Sequence, residues 1–503
     1  MGKTDQSNCF DVRHLEADIR SHSIRGGAAT LLAQGTRVFL MLGGMVVLAR
    51  LLSPKDFGLL AMVTSVTAFA NIFKDMGLST ATVQRSEINH GQISVLFWVN
   101  TGIGLITMLV VAAMAPVIAR FYHEPRLTHI TLVLSISFFL GGLSIQHQAL
   151  LRRQMRFGVL ALIQVLSMVV AIATGIVFAL CGAGYWALVF MQVTMSGATA
   201  IAFLTTCRWC PGLPVRGSGV RSMLRFGGHM TGFSLVVFFS RNLDKILIGR
   251  LCGDRMLGLY SKSDEILNLP IANLRGPMTS VAIPALSRLQ NDHDRYKHFY
   301  SQLLLVLAFI SMPLLAFLCV CSEDVILLVL GDQWVEMNGI FKMLAVACFM
   351  QTVAGTRGLV LISCGQTGRY LKWGIIGSVF SICAIAIGIP WGALGVATAL
   401  AFAWNLNIVP SLWYCFRNTP VTTGTFFKAI WRPMTASLVM GAALFAFSFV
   451  IVSQCVFLRT LLSFLVGAAV FLSVWVAMPG GGKELKRIYG FASFLIPKKS
   501  TPQ

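Results

Sequence analysis

A chain of 503 residues that is 56% hydrophobic and only 12% charged, with a mean hydropathy of +0.75, cannot be an ordinary soluble protein, in which about a quarter of residues are charged. The net charge of +21 would suit nucleic acid if the basic residues formed a patch or tail, but they fall between apolar runs. The composition therefore predicts an all-α integral membrane protein without a nucleic-acid partner.

The N-terminal segment, residues 1–26, is polar and lacks the apolar core of a cleavable signal peptide. We therefore expect it to stay in the cytoplasm, so that the first hydrophobic span directs insertion.

The twelve cysteines are scattered, mostly within apolar runs, which is typical of small buried hydrophobic residues and not of disulfides. Cys207 and Cys210 have CxxC spacing. Because zinc sites normally need four ligands and no second pair or His cluster follows, we predict no metal site and no cofactor.

Apolar runs of about twenty residues mark membrane-spanning helices. Fourteen such runs occur, at 27–50, 57–78, 93–118, 127–150, 157–180, 183–206, 226–249, 257–286, 299–321, 338–364, 370–390, 393–415, 429–453 and 457–478. They predict two six-helix lobes, at 27–206 and 226–415, joined by a linker at 207–225. Two extra helices, at 416–478, and a tail, at 479–503, follow the second lobe.

The loop charges fix the orientation, because cytoplasmic loops carry the excess of Lys and Arg. With the N-terminus inside, the cytoplasmic segments hold 25 basic residues and the opposite loops hold 7. Both termini are therefore predicted to be cytoplasmic.

An internal repeat appears when the chain is laid on itself with an offset of 200. The segment 49–60, ARLLSPKDFGLL, then falls on 249–260, GRLCGDRMLGLY, and Arg50, Gly58 and Leu59 meet identical residues. Chance identities among membrane helices are the alternative explanation. We interpret the match as two pseudo-symmetric lobes related by an axis along the membrane normal, around a central cavity.

Charged residues interrupt the seventh span in the stretch SRNLDKILIGR, residues 240–250. Arg241, Asp244 and Lys245 share one helical face, and Asn242 lies beside it. An ionisable residue at the bilayer centre costs about 2.5–3.5 kcal/mol on insertion scales, so it normally faces a cavity or a partner.

Three other spans carry similar groups. In the first span, Gln34 and Arg37 lie one turn apart on a face equivalent to that of Arg241. In the eighth, Glu265, Asn268 and Arg275 share a face of a helix weakened by Pro270 and by Gly276-Pro277, and Arg357 lies in the tenth.

Structural salt bridges that join helices, or lysines that snorkel to the interface, are the alternative for such residues. We favour that alternative for four groups near helix ends: Lys74, Asp75, Lys262 and Lys342. For Arg37, Arg241, Lys245 and Arg275 the surplus of positive charge favours an electropositive cavity. Such a cavity predicts an anionic ligand, and the planar donor fork of Arg suits phosphate.

Residues 240–290 and 49–62 closely resemble the polysaccharide-transport (Wzx-type) flippases of the multidrug/oligosaccharidyl-lipid/polysaccharide exporter superfamily, in the branch that exports colanic acid and succinoglycan. The resemblance implies two six-helix lobes and translocation of a polyprenyl-diphosphate-linked oligosaccharide to the periplasmic leaflet of the bacterial inner membrane. It also implies that Arg241, Asn242, Asp244 and Lys245 line the cavity, with Arg275 opposite.

The predicted protein is thus a transporter and not an enzyme, with membrane lipid and a polysaccharide polymerase or co-polymerase as further partners. The sugar and the coupling ion, proton or sodium, stay open. A drug/cation antiporter of the same superfamily would need acidic cavity residues. A membrane glycosyl polymerase or ligase would need a large periplasmic loop, and the loops here are short.

Overall fold

The computed structural model describes residues 19–71, 79, 82, 88–207, 209–213, 221–450, 455–479 and 481–482, with side chains from 33 onward except those of 221–241. Within these ranges the regular structure is helical and contains no strand. Lys74 and Asp75 lie outside the described residues, as do residues 1–18 of the predicted N-terminal segment and most of the predicted tail.

The helices of the first half are α1 (Ile19–Leu51), α2 (Pro54–Thr67), α3 (His90–Tyr122), α4 (Arg126–Arg153), α5 (Phe157–Leu180), α6 (Tyr185–Cys207) and α7 (Arg221–Leu289). Those of the second half are α8 (His293–Val320), α9 (Ser322–Val329), α10 (Asn338–Ala354), α11 (Arg357–Ser363), α12 (Thr367–Gly388), α13 (Gly392–Leu406), α14 (Ile408–Phe416), α15 (Thr423–Ser448) and α16 (Val456–Ala477). Short 3₁₀ turns precede α10 and α13, at Asp332–Met337 and Ile389–Trp391.

Membrane-crossing segments dominate this list. Ten stretches of the described chain are long and apolar enough to cross a membrane. Each of the fourteen predicted spans overlaps at least one helix, and α5 has the predicted limits. The fold class, an all-α membrane protein, is confirmed, and the count of fourteen stays a prediction.

The long helix α7 carries both the seventh and the eighth predicted span. Its one non-helical residue is Gly253, with φ 85° and ψ −179°. Pro270, Pro277 and Pro284 lie inside the helix without such a departure. The expected weakening at Pro270 and Gly276-Pro277 therefore produces no break, whereas Gly253 does, because glycine tolerates a positive φ.

The chain forms two compact units, 1–255 and 256–503. The first therefore contains α7 up to its break, whereas the sequence places a lobe boundary at the linker 207–225.

In unit 1, Gly104 and Gly142 let α3 and α4 approach closely, since a Cβ on Gly142 would lie 2.7 Å from the Asn100 carbonyl oxygen. Unit 2 has an extended buried core centred on α8, with Tyr300 and Met312 fully buried.

At one end of unit 1, the turn between α3 and α4 is held by charges. Arg126 donates from Nε and Nη2 to the two carboxylate oxygens of Glu124, at 2.7 and 2.9 Å, and lies 3.6 Å from the Asp254 carboxylate. These hydrogen bonds from Arg126 lower the pKa of Glu124. The ion pair of Arg126 with Asp254 joins this turn to the residue that follows Gly253.

At the other end of unit 1, the segment after α6 is anchored by Trp209. Its indole N–H donates to His90 Nδ1 at 3.2 Å, and its carbonyl oxygen lies 3.3 Å from His147 Nε2. Three residues on, Gly212 N donates to Ser94 Oγ at 3.0 Å. The start of the predicted linker is therefore part of the packed unit.

The C-terminal helices α15 and α16 pack on α8 in unit 2. Trp475 is fully buried, and its ring meets that of Phe309 edge to face at 4.9 Å. Beyond this apolar contact, Arg459 of α16 forms an ion pair with Asp324 of α9, whose side chain is only 14% exposed.

Candidate functional site

The candidate site lies in unit 2, where the tenth predicted span is interrupted. Helix α10 ends at Ala354 and α11 begins at Arg357, so that Gly355 and Thr356 form the connection. Gly355 keeps helical dihedral angles, φ −61° and ψ −17°. Its carbonyl oxygen receives a long bond from Gly358 N, 3.3 Å, and can accept from a second donor.

Arg275 of α7 supplies that donor. Its Nη2 donates to the Gly355 carbonyl oxygen at 2.8 Å, and its side chain is half-buried. A Cβ at Gly355 would lie 2.6 Å from Nη2 and 2.8 Å from Cζ of Arg275. The absence of a side chain at position 355 is therefore what allows the guanidinium to lie against the backbone.

A second guanidinium lies at the other end of the connection. Arg357 Nη1 donates to the Ala354 carbonyl oxygen at 3.3 Å and to Ser411 Oγ of α14 at 3.4 Å. Both partners are neutral. Arg275 contacts Gly355, two residues before Arg357, so the two cations share one region of the unit.

The connection is fixed from α8. Tyr300, fully buried, shares a 2.9 Å hydrogen bond with the hydroxyl of Thr356, which itself donates to the Val353 carbonyl oxygen at 2.7 Å. This contact holds the backbone between the two arginines. We call Arg275, Arg357, Gly355, Thr356 and Tyr300 the basic cluster.

The basic cluster is suited to an anion. Two like charges in a poorly solvated region repel each other, and a doubly charged anion between them would relieve that repulsion. Guanidinium groups present several N–H donors in a plane, which matches the oxygens of a phosphate.

Glu265 and Asn268, which precede Arg275 on α7, form hydrogen bonds or ion pairs within their own helix. Glu265 is exposed and pairs with Lys262 Nζ at 2.7 Å, and Asn268 donates to the Asp264 carboxylate at 2.6 Å. The salt bridge of Lys262 lies within one helix, whereas the alternative that we favoured for Lys262 was a bridge between helices or a snorkelling side chain. Neither pair adds a surplus charge to the cluster.

The remaining predicted residues belong to unit 1. Gln34, Asn242, Asp244 and Lys245 are half-buried and Arg37 is exposed. The side chain of Arg241 lies outside the described residues, so the predicted pairing of Arg37 with Arg241 stays a prediction. The structure thus brings Arg275 and Arg357 together in unit 2, whereas the predicted residues of α1 and of α7 before Gly253 belong to unit 1.

Sequence reasoning missed Gly355, Thr356 and Tyr300. The stretch AGTRG, 354–358, contains two glycines inside an apolar run, which is a recognised signal for an interrupted helix. Nothing in the sequence around Tyr300 indicates its contact with Thr356. Among the described residues, no group of three or more His, Cys, Asp or Glu could hold a metal ion.

The helices and the half-buried arginines together define a multi-pass all-α membrane protein with cationic groups within its helical units. The family model described as polysaccharide biosynthesis protein matches residues 47–338, more than half of the chain. The chain belongs to this family.

Individual relatives agree. The teichuronic acid biosynthesis protein TuaB of Bacillus subtilis (strain 168) is 27% identical over 386 residues, which cover 76% of this chain and 80% of TuaB. The lipopolysaccharide biosynthesis protein WzxC of Escherichia coli (strain K12) is 25% identical over 446 residues, 87% of this chain and 89% of WzxC. The succinoglycan biosynthesis transport protein ExoT of Rhizobium meliloti (strain 1021) is 26% identical over 405 residues, 78% of this chain and 80% of ExoT.

Solved structures share the fold. The lipid II flippase MurJ in an inward closed conformation superposes with a TM-score of 0.72 and 15% identity, covering 90% of this chain and 98% of MurJ. An inward-facing multidrug resistance MATE family transporter of the MOP superfamily gives a TM-score of 0.60 and 14% identity, covering 78% and 97%. At these identities the two likenesses show a shared fold.

Proposed function

We propose that this protein is a flippase that moves a polyprenyl-diphosphate-linked oligosaccharide repeat unit from the cytoplasmic to the periplasmic leaflet by alternating access. The family, the transport relative ExoT and the fold shared with the flippase MurJ support the class of activity. The single observation that supports a diphosphate ligand is the basic cluster.

The basic cluster offers what the transport of a diphosphate requires. Arg357 uses Nη1 for both of its neutral acceptors, and a guanidinium has five N–H donors, so further donors of Arg357 can reach a ligand that approaches the connection. Charge-assisted hydrogen bonds to such a ligand contribute about 1.5–3 kcal/mol each. A cationic drug would meet repulsion instead, which weighs against the antiporter alternative.

The setting follows from the same proposal. We place the protein in the bacterial inner membrane with both termini cytoplasmic, in accord with the division of loop charges. A polysaccharide polymerase or co-polymerase would consume the product on the periplasmic side. The proposal includes no cofactor and names no coupling ion.

The test compares polymer secretion and lipid-linked intermediates in cells that carry Arg275→Gln or Arg357→Gln at matched protein level. Each variant should lower affinity for the diphosphate by one to two orders of magnitude, so that export falls and intermediates accumulate on the cytoplasmic leaflet. The corresponding changes Arg241→Gln and Lys245→Gln should act in the same direction if the predicted row of α7 also meets the ligand.

Gly355→Ala tests whether the position of the Arg275 guanidinium matters, because the variant moves this group and keeps its charge. The helical dihedral angles accept alanine, and only the flexible end of Arg275 must move. Export should fall without a loss of thermal stability. Two variants serve as controls: Gly374→Ala, where an added Cβ would have nothing within 4 Å, and Arg295→Gln, on an 80% exposed side chain. Normal secretion in both arginine variants and their double would refute the cluster as the diphosphate site.

A further inference from the structure

Unit 1 contains a cavity that none of the predicted residues lines. It has a volume of about 130 Å³ and lies between α2, α4 and α6. Its polar lining consists of hydroxyl and amide side chains: Thr64, Thr67, Asn71, Ser137, Gln192 and Ser196. Leu134 and Phe138 of α4 supply the apolar part. We call it the neutral pocket, because none of the described residues that line it is charged.

The hydroxyl groups of the neutral pocket are arranged as acceptors. Thr64 and Thr67 donate to the carbonyl oxygens of Leu60 and Val63 in their own helix, at 3.0 and 2.8 Å. Ser196 donates in the same way within α6. A hydroxyl that donates its single proton to the backbone retains lone pairs, so these groups can receive hydrogen bonds from a ligand.

Ser137 differs from the other hydroxyls. Its Oγ is shielded from solvent and has no hydrogen-bond partner among the described residues. A buried hydroxyl without a partner costs free energy, and a ligand that bonds to it recovers that cost. The neighbouring Phe138 places an apolar surface beside this donor and acceptor.

The chemistry and size of the pocket select its ligand. None of the described residues that line the pocket offers a counter-charge to a charged ligand, which favours a neutral ligand in this membrane-embedded site. A cavity needs only about 10–15 Å³ by this measure to hold one water, so 130 Å³ accommodates a group as large as a sugar ring. A bare cation would be much too small to touch all three helices.

We infer that the neutral pocket binds a neutral sugar ring of the transported repeat unit. The ring's hydroxyls donate to Thr64, Thr67 and Ser137, and its C–H face packs on Phe138. This inference rests on the proposed flippase function and deepens it, because it assigns the sugar of the repeat unit to a pocket separate from the basic cluster.

Equilibrium dialysis of the full-length protein in detergent tests the inference, with radiolabelled glucose, galactose, fucose and N-acetylglucosamine as probes. At least one sugar should bind. Thr67→Val and Ser137→Ala should each raise its Kd about threefold to tenfold, the effect of losing one neutral hydrogen bond. Thr64→Val replaces Thr67→Val if the latter does not yield a monodisperse protein.

Ser144→Ala is the matched control, because Ser144 lies on the same helix, bonds to a backbone carbonyl and does not line the pocket. Binding of none of the four sugars, or unchanged Kd values in Thr67→Val and Ser137→Ala, would overturn the inference. So would a bound sodium ion that these variants lose.

Inorganic diphosphate, used as a second probe, distinguishes a failure of the sugar pocket from a failure of the proposed diphosphate site. Arg275→Gln and Arg357→Gln should lose diphosphate binding and keep sugar binding, whereas the pocket variants should do the reverse. A wild-type protein that binds sugar but not diphosphate would contradict the proposed function and leave the pocket assignment in place.

Discussion

The two halves of the internal repeat interrupt their helices at equivalent positions by different means. With the offset of 200, Ser53 falls on Gly253. Ser53 lies between α1 and α2 in extended backbone, and Asp56 accepts from both its N–H and its hydroxyl, at 2.9 and 2.7 Å. At the second position, Met256 stands where Asp56 would be, and Gly253 turns the chain through a positive φ. The repeat therefore preserves the place of the break and not the residue that makes it.

The two breaks also meet each other within unit 1. A Cβ on Gly58 would lie 1.8 Å from the carbonyl oxygen of Asp254, directly after the second break. A Cβ on Gly58 would meet the backbone of Asp254, whereas a Cβ on Gly355 would meet the end of the flexible Arg275 side chain. We therefore expect Gly58→Ala to disrupt folding and Gly355→Ala to affect only ligand binding.

Gly58→Ala should have the largest effect on stability. Because the Asp254 backbone cannot rotate away, the cost should exceed the ~1–3 kcal/mol typical of overpacking. We expect a reduced yield of monodisperse protein and a lower Tm in detergent. Gly102→Ala, where an added Cβ would have nothing within 4 Å, should not lower the Tm. Equal behaviour of the two variants would refute the close contact.

Gly253→Ala should have the next largest effect. The combination of φ 85° and ψ −179° is nearly restricted to glycine, and imposing it on alanine costs about 1–3 kcal/mol. Thermal unfolding measures this loss. Gly276→Ala in the same helix is the control, because its surroundings are open. A Tm at or above that of the wild type would show that the second break does not need its positive φ.

Asp56→Ala should have the smallest effect of the three, about 0.5–2 kcal/mol, the usual cost of losing a helix cap. Asp56→Asn keeps an acceptor oxygen for the Ser53 N–H and should lose less. If both variants unfold like the wild type, the first break is determined by Pro54 and packing, and the cap is dispensable.

The sequence predicted the helical spans well because the bilayer demands about twenty consecutive apolar residues with internally bonded backbone. The limits of α5 and the approximate ends of α3, α4 and α6 follow from this rule alone. The interruption at Gly355 was harder to locate, since Gly and Thr are common inside membrane helices and the run around them remains apolar.

The site was predicted only in part. Charge in an apolar span identifies Arg275 and Arg357 as unusual, but their common environment depends on a contact between residues 80 positions apart. The neutral pocket left no signal, because single Ser and Thr residues on three helices are ordinary in membrane proteins until the helices are packed together.

The ion pair between Arg459 and Asp324 determines what the C-terminal helices contribute. Removing α15 and α16 would expose Phe309 and its apolar neighbours to lipid tails, which are as apolar as the helices they replace. The carboxylate of Asp324 would have no such substitute and would be stranded in a mostly buried setting. Loss of the two helices should therefore be costly through this one charge, and a truncated chain that also carries Asp324→Asn should tolerate their loss better than truncation alone.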